Sequence, residues 1–147
     1  MISPNYGINN KLGGIVRWSW GLAFAKWLNG PYYSFEPMND LHKLYWTERY
    51  PVEALSPMFD LLDIVAELDK SKIHLPQLVI YSPEDQVVSP KKIEQTITQF
   101  ENSVVTVKQY RNSTDPYQHV LAGNATSPES TEEVVQIILN YINSLLN

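Results

Sequence analysis

Residues 78–88 read Leu78-Val79-Ile80-Tyr81-Ser82-Pro83-Glu84-Asp85-Gln86-Val87-Val88. The first four form a short, continuous apolar run after Pro76, which is typical of a strand buried on both faces. Val104 to Tyr110 predicts a second strand, and Ser89-Pro90 predicts the start of a helix between the two. Strands that alternate with helices in this way predict an α/β fold with a parallel sheet.

Two further helices are predicted on either side of these strands. Ser56-Pro57 predicts a cap followed by proline at the first helical position. Ser130 and Glu133 resemble a capping box, because a serine is followed by a glutamate three residues later. A wide apolar stripe after the box predicts a helix that packs on the core; its members are Val134, Ile137, Ile138, Tyr141, Ile142 and Leu145.

Composition limits the class of protein. The chain has 147 residues, a net charge of −5, 44% hydrophobic residues and no cysteine, which predicts one domain without disulfides or thiolate metal sites. A net-negative chain without a basic stripe is a poor partner for nucleic acid. We expect no membrane span, because no apolar run reaches about 18 residues. The first residues do not resemble a signal peptide, so we expect a cytoplasmic protein.

Aromatic residues are concentrated in one segment. Residues 18–50 hold 10 of the 17 aromatic side chains. All four tryptophans belong to this group: Trp18, Trp20, Trp27 and Trp46. Glycines and prolines interrupt the same segment, so it is expected to form only short helices and irregular turns.

Two residues follow the predicted strands and could carry chemistry. Asp85 lies in the loop after the first strand, and His119 lies in the loop after the second. Ligands of open α/β sheets bind beyond the carboxyl ends of the strands, where a carboxylate can orient an imidazole base. Taken singly, Asp85 is also compatible with a turn or cap, and His119 with a packed or surface residue.

These two loops resemble a known family. Residues 78–88 and the run Gln118-His119-Val120-Leu121-Ala122-Gly123 make residues 75–147 similar to the C-terminal portion of an α/β-hydrolase, in the branch of esterases, monoacylglycerol lipases and serine aminopeptidases. The resemblance implies that Asp85 is the acid and His119 the histidine of a catalytic triad, with no cofactor. Ile2-Ser3-Pro4-Asn5 resembles the end of the strand that precedes the lid in these enzymes.

The resemblance also implies how the chain is divided. Residues 1–147 would form a single partial domain, with a lid-like segment over residues 9–56 and a strand–helix core over residues 57–147. The four tryptophans would then belong to the lid and contact the substrate. Such aromatic side chains favour a substrate with an apolar acyl group.

The nucleophile of the family lies in a G-x-S-x-G elbow, and this sequence contains no such motif. In the family the serine precedes the acid and the histidine, so we expect it upstream of Met1, with this chain as the C-terminal part of a longer hydrolase. Ser19 is the alternative nucleophile. However, Arg17 stands where the elbow requires its first glycine.

Two functions therefore remain in competition. The first is a serine hydrolase for carboxylic esters or amides that is inactive without a nucleophile. The second is a non-catalytic interaction module that pairs with itself or a partner chain through an exposed sheet edge. Contact of the tryptophan-rich segment with lipid is a third interpretation, which its few basic residues disfavour. His42 and His74 have no neighbours at ligand spacing, so we expect no metal site.

Overall fold

The computed structural model describes residues 1–9 and 20–146. Within them the α-helices are α1 Gly21–Asn29, α2 Asp40–Tyr45, α3 Leu55–Glu67, α4 Pro90–Ile97 and α5 Thr131–Leu146, and the strands are β1 Tyr32–Ser34, β2 Arg49–Pro51, β3 Gln77–Tyr81 and β4 Val105–Gln109. Strands β1 and β2 pair antiparallel, whereas β3 and β4 pair parallel. The protein is therefore a mixed α/β protein.

The chain divides into two compact units. The first combines Met1–Asn9 with Asp69–Asn147, and the second is Asn10–Leu68. Helix α3 thus belongs to the same unit as the aromatic segment, whereas the sequence placed it in the strand–helix core. The single domain with a lid over residues 9–56 stays a prediction.

Strand β3 is the centre of the first unit. It pairs with β4 from Gln77 opposite Val105 to Tyr81 opposite Gln109, which confirms the two predicted strands to within one residue at each end. On the other side of β3, Ile2 forms a parallel bridge with Ile80. The first residues of the chain therefore extend the parallel sheet by a short third segment.

Each face of β3 is covered by its own apolar core. Because successive side chains of a strand point to opposite faces, Leu78 and Ile80 pack with Tyr110, Leu121 and Val134. The second core consists of Val79, Tyr81, Val88 and Ile93. The prediction that this strand is buried on both faces is thus confirmed.

Helix α4 begins as the sequence predicts. Ser89 is its N-cap and accepts a hydrogen bond from the Lys92 amide through its side chain, and Pro90 is the first helical residue. Proline suits this position because an amide there would have no partner within the helix. This helix packs Ile93 against β3 and links the two parallel strands.

The predicted cap of α3 is wrong. The helix begins at Leu55, so Ser56 lies inside the first turn, and Ala54 is the N-cap. The reason is a 3₁₀ turn over Val52–Ala54 that continues directly into the helix. Ala54 already has helical backbone angles, and the chain is thus helical before it reaches the serine.

Helix α5 begins at the predicted place but with other contacts. The Ser130 hydroxyl donates to the main-chain oxygens of Leu121 and Ser127, and Glu133 accepts from the Tyr110 hydroxyl at 2.7 Å. These hydrogen bonds connect the start of α5 to the loop that precedes it and to Tyr110, the residue after β4. The reciprocal capping-box bonds are not among the contacts in the described part of the chain.

The apolar stripe of α5 is buried only in its first half. Val134 is buried, whereas Ile142 and Leu145 are 45% and 52% exposed. A helix of 16 residues is about 24 Å long, while the five residues of β3 span about 17 Å. The last turns of the helix therefore extend beyond the strand that its first turns cover.

The second unit contains much of the aromatic segment. Tyr33 and Tyr50 pair across β1 and β2 with ring centroids 5.3 Å apart. Phe35 stacks on His42 at 5.3 Å, and Trp46 meets the same imidazole edge-on at 4.9 Å. The short helices and strands confirm the expected irregular layout.

None of the helices in the described ranges has the length and apolar character needed to cross a membrane.

Candidate active site

Asp85 is fixed in the loop that follows β3. One carboxylate oxygen, Oδ1, accepts hydrogen bonds from the amides of Val87 at 2.8 Å and Val88 at 2.9 Å. The Asn9 side chain donates to the Asp85 main-chain oxygen at 2.7 Å. Such side chain to main chain bonds are typical of aspartate in turns. They hold the carboxylate in place and leave Oδ2 for another partner.

That partner is His119, in the loop after β4. Nδ1 of its imidazole lies 2.9 Å from Oδ2 of Asp85. The Asp85 side chain is fully buried, and the His119 side chain is 29% exposed. An ionised carboxylate only accepts hydrogen bonds, so we assign the proton of the neutral imidazole to Nδ1. The lone pair of the ring is then on Nε2.

The main chain of His119 is held independently of its ring. Asp115 Oδ2 accepts from the amides of His119 at 2.9 Å and Val120 at 2.8 Å. The Ser3 hydroxyl donates to the His119 carbonyl oxygen at 2.7 Å. Nε2 is the one polar atom of His119 to which the described residues offer no hydrogen bond.

The two site loops are also joined to each other. The Gln86 amide donates to the Tyr117 carbonyl oxygen at 2.9 Å, and the Gln86 side chain donates to that of Pro116 at 3.2 Å. Asp115 begins a turn in which its main-chain oxygen accepts from the Gln118 amide at 2.9 Å. The Asp–Pro pair thus starts the turn that presents the histidine.

Two buried serines support this turn from behind, and sequence reasoning missed them. Ser113 and Ser127 lie 2.8 Å apart between their hydroxyl oxygens, and both accept from the Asp115 amide, at 3.1 and 3.2 Å. Both also donate to the Val120 carbonyl oxygen. The signal available was the density of hydroxyl residues between 113 and 131, which does not show which of them converge.

The other predicted site residues are the four tryptophans and Ser19. Trp20, Trp27 and Trp46 belong to the second unit and are 53%, 79% and 41% exposed. Trp18 and Ser19 lie outside the described residues. The structure therefore brings Asp85 and His119 together, and the substrate role of the tryptophans stays a prediction.

The arrangement is suited to proton transfer. Nε2 can accept a proton while the buried Asp85 carboxylate stabilises the resulting positive imidazole. In the described part of the chain, no group of three or more potential ligand side chains could hold a metal ion.

Models of known protein families, characterised proteins and solved structures gave no match to this chain.

Proposed function

We propose that Asp85 and His119 are the acid and base of a serine-hydrolase triad that acts on carboxylic esters or amides with an apolar acyl group. The observation that carries this proposal is the 2.9 Å contact between Asp85 Oδ2 and His119 Nδ1. It leaves the opposite ring nitrogen free to act on a nucleophile. The carboxylate is buried, so its attraction to a positive imidazole is weakly screened by water.

The position of the pair in the sheet supports the same proposal. Asp85 and His119 follow two parallel strands, β3 and β4, at the edge where α/β proteins bind ligands. The order of Ile2, β3 and β4 across the sheet is compatible with the last strands of an α/β-hydrolase. We propose that the chain has this finer fold, the C-terminal part of an α/β-hydrolase.

The nucleophile of this reaction would come from a segment outside this sequence. Its hydroxyl would donate to Nε2 of His119, which removes the proton while the oxygen attacks the carbonyl carbon. The imidazolium then gives that proton to the departing alcohol or amine. Water repeats the sequence on the acyl-enzyme, releases the carboxylic acid and restores the serine.

The preference for an apolar acyl group rests on the sequence, in which residues 18–50 hold 10 of the 17 aromatic side chains. Trp27 is 79% exposed, and its neighbour Phe24 is 41% exposed, with ring centroids 6.0 Å apart. Large exposed aromatic surfaces are typical of sites that bind apolar groups.

Alkylation by a bromomethyl ketone with an apolar chain tests the free Nε2. We expect His119 to be alkylated at Nε2 several times faster than His74, which is exposed and serves as an internal standard. In Asp85→Asn the amide nitrogen would donate to Nδ1 and place the ring proton on Nε2, which removes its lone pair. Mass spectrometry of peptides gives both rates.

Asp69→Asn provides the control, because this aspartate binds the Ser71 amide before β3, at the opposite end of the strand from the Asp85 loop. It should leave the alkylation of His119 unchanged. Labelling of His119 no faster than that of His74, or equal labelling in wild type and Asp85→Asn, would overturn the proposal.

Ester turnover tests the origin of the nucleophile. We expect the chain alone to hydrolyse ethyl butyrate, an ester too unreactive for direct attack by an imidazole, no faster than its His119→Ala variant does, because the sequence contains no elbow serine. Turnover that disappears in His119→Ala would show that this chain supplies its own nucleophile.

A second candidate function rests on the edge of the parallel sheet. The Ile80 amide donates to Met1, and the Ser3 amide donates to Ile80, so the amide and carbonyl of Ile2 between them point away from β3. Neither makes a hydrogen bond within the described ranges. We propose that this edge accepts a strand from a second copy of the chain.

Light scattering with two variants tests the edge. Ile2→Pro removes the outward amide and leaves the bonds of Met1 and Ser3 to β3 intact, so it should convert a dimer into a monomer. Ile2→Thr keeps the amide and should remain dimeric. A monomeric wild type, or a dimer that survives Ile2→Pro, would contradict this function.

A further inference from the structure

We infer that Asp115 and Ser3 form a clamp on the main chain of His119 that positions its ring against Asp85. This inference rests on the proposed role of His119 as a base. In it, Asp115 and Ser3 touch no substrate and act only through the histidine. They are positioning residues that belong to two separate segments of the chain.

Asp115 supplies the first half of the clamp. Its side chain accepts from three amides: those of Tyr117 at 3.3 Å, His119 at 2.9 Å and Val120 at 2.8 Å. Asp115 is only 2% exposed. A buried carboxylate is costly unless charge-assisted hydrogen bonds compensate it, so these amides are held strongly to its position.

Ser3 supplies the second half from the other side of β3. Its hydroxyl donates to the His119 carbonyl oxygen at 2.7 Å, and its amide is anchored to Ile80. The peptide groups on both sides of His119 are thereby fixed. Only the two side-chain torsions remain, and the bond from Nδ1 to Asp85 restricts those.

Backbone strain is concentrated at the same place. Among the described non-glycine residues, positive φ occurs at Ser3, with 40°, and at Gln118, with 53°. Side chains disfavour this region, and such conformations persist where surrounding contacts determine them. One strained residue binds the His119 carbonyl and the other directly precedes His119, as expected if the loop is built to place this histidine.

The two buried aspartates hold different parts of His119. Asp85 binds the ring and thus selects the tautomer, whereas Asp115 binds the main chain and thus sets the point from which the ring extends. A merely structural Asp115 would stabilise the loop without affecting the ring contact. The two possibilities predict different rates at which the ring proton on Nδ1 exchanges with water in Asp115 variants.

Proton NMR of the His119 ring tests the clamp. We expect wild type to show an Nδ1 proton that exchanges slowly with water, because it is bonded to a buried carboxylate. In Asp115→Asn and in Ser3→Ala this proton should exchange at least tenfold faster, measured well below each variant's melting temperature. Asp69→Asn and Ser71→Ala alter a similar aspartate–serine pair before β3 and should change nothing.

Each outcome decides one point. Unchanged exchange in Asp115→Asn, despite a lower melting temperature, would reduce that residue to a structural role and overturn the clamp. If Asp115→Asn does not fold, Ser3→Ala decides, and unchanged exchange there overturns the clamp equally. Absence of the slowly exchanging proton from wild type would instead contradict the contact between Asp85 and His119, and with it the proposed function.

Discussion

Three polar atoms of His119 have partners, which come from three different segments of the chain. Ser3 binds its carbonyl oxygen, Asp115 its amide and Asp85 its Nδ1. The positions of Asp85 and His119 could be predicted from sequence, because each follows a recognisable strand. The convergence of Ser113 and Ser127 on the same loop could not, since these residues are 14 positions apart in the sequence and no local pattern indicates that they meet.

At the scale of single residues, Tyr110 gives a pH-dependent prediction. Burial, followed by the hydrogen bond to Glu133, raises the pKa of Tyr110 to about 12 from its ordinary value of 10.0. Its contribution to stability is therefore fully present below pH 10 and is lost as the pH rises through 12. Ultraviolet titration should show one of the nine tyrosines ionising at about pH 12.

Glu133→Gln provides the comparison for this titration. Removing the negative charge should lower the pKa of Tyr110, because the phenolate would no longer face a carboxylate. A titration curve that is identical in wild type and Glu133→Gln would show that the two side chains are not in contact.

Among the helices and strands, the sequence predictions were correct where the structure depends on residues adjacent in sequence. The apolar run of β3 and the Ser89 cap of α4 could both be recognised because each depends on residues adjacent in sequence. The start of α3 could not, because the 3₁₀ turn over Val52–Ala54 overrides the preference of Ser56 for a cap. The exposure of Ile142 could not be predicted either, because it depends on how far α5 extends beyond the strand that it covers.

The packing of α4 on the sheet gives a stability prediction. Ile93 is completely buried between this helix and β3, so Ile93→Ala should lower the free energy of unfolding by about 2–5 kcal/mol. Ile142→Ala makes the same chemical change at a residue that is 45% exposed, and should cost less than about 1 kcal/mol. Urea denaturation measures both, and equal losses would contradict this packing.

At the scale of the whole molecule, the first residues of the chain and a strand near residue 80 belong to one sheet. Ile2 pairs with Ile80 across an intervening unit of residues 10–68. The likeness of Ile2-Ser3-Pro4-Asn5 to a strand end predicts a strand at the start of the chain but does not identify β3 as its partner. The resemblance divides the chain after residue 56, whereas the two units divide after Leu68, because the contacts of α3 rather than its own residues decide which unit it belongs to.

The site is the product of this long-range pairing. Ser3 reaches the His119 carbonyl only because the first segment lies beside β3, and Asp85 and His119 meet because β3 and β4 run parallel. We therefore expect that changes in the strand pairing of the sheet, as well as changes in the neighbouring residues, alter the position of the His119 ring.

The tautomer of neutral His119, read from long-range nitrogen–proton NMR correlations within its ring, tests the contact between Asp85 and His119. We expect a proton on Nδ1 and none on Nε2 in wild type, with the reverse in Asp85→Asn. A proton on Nε2 in wild type, or the same tautomer in both proteins, would contradict that contact.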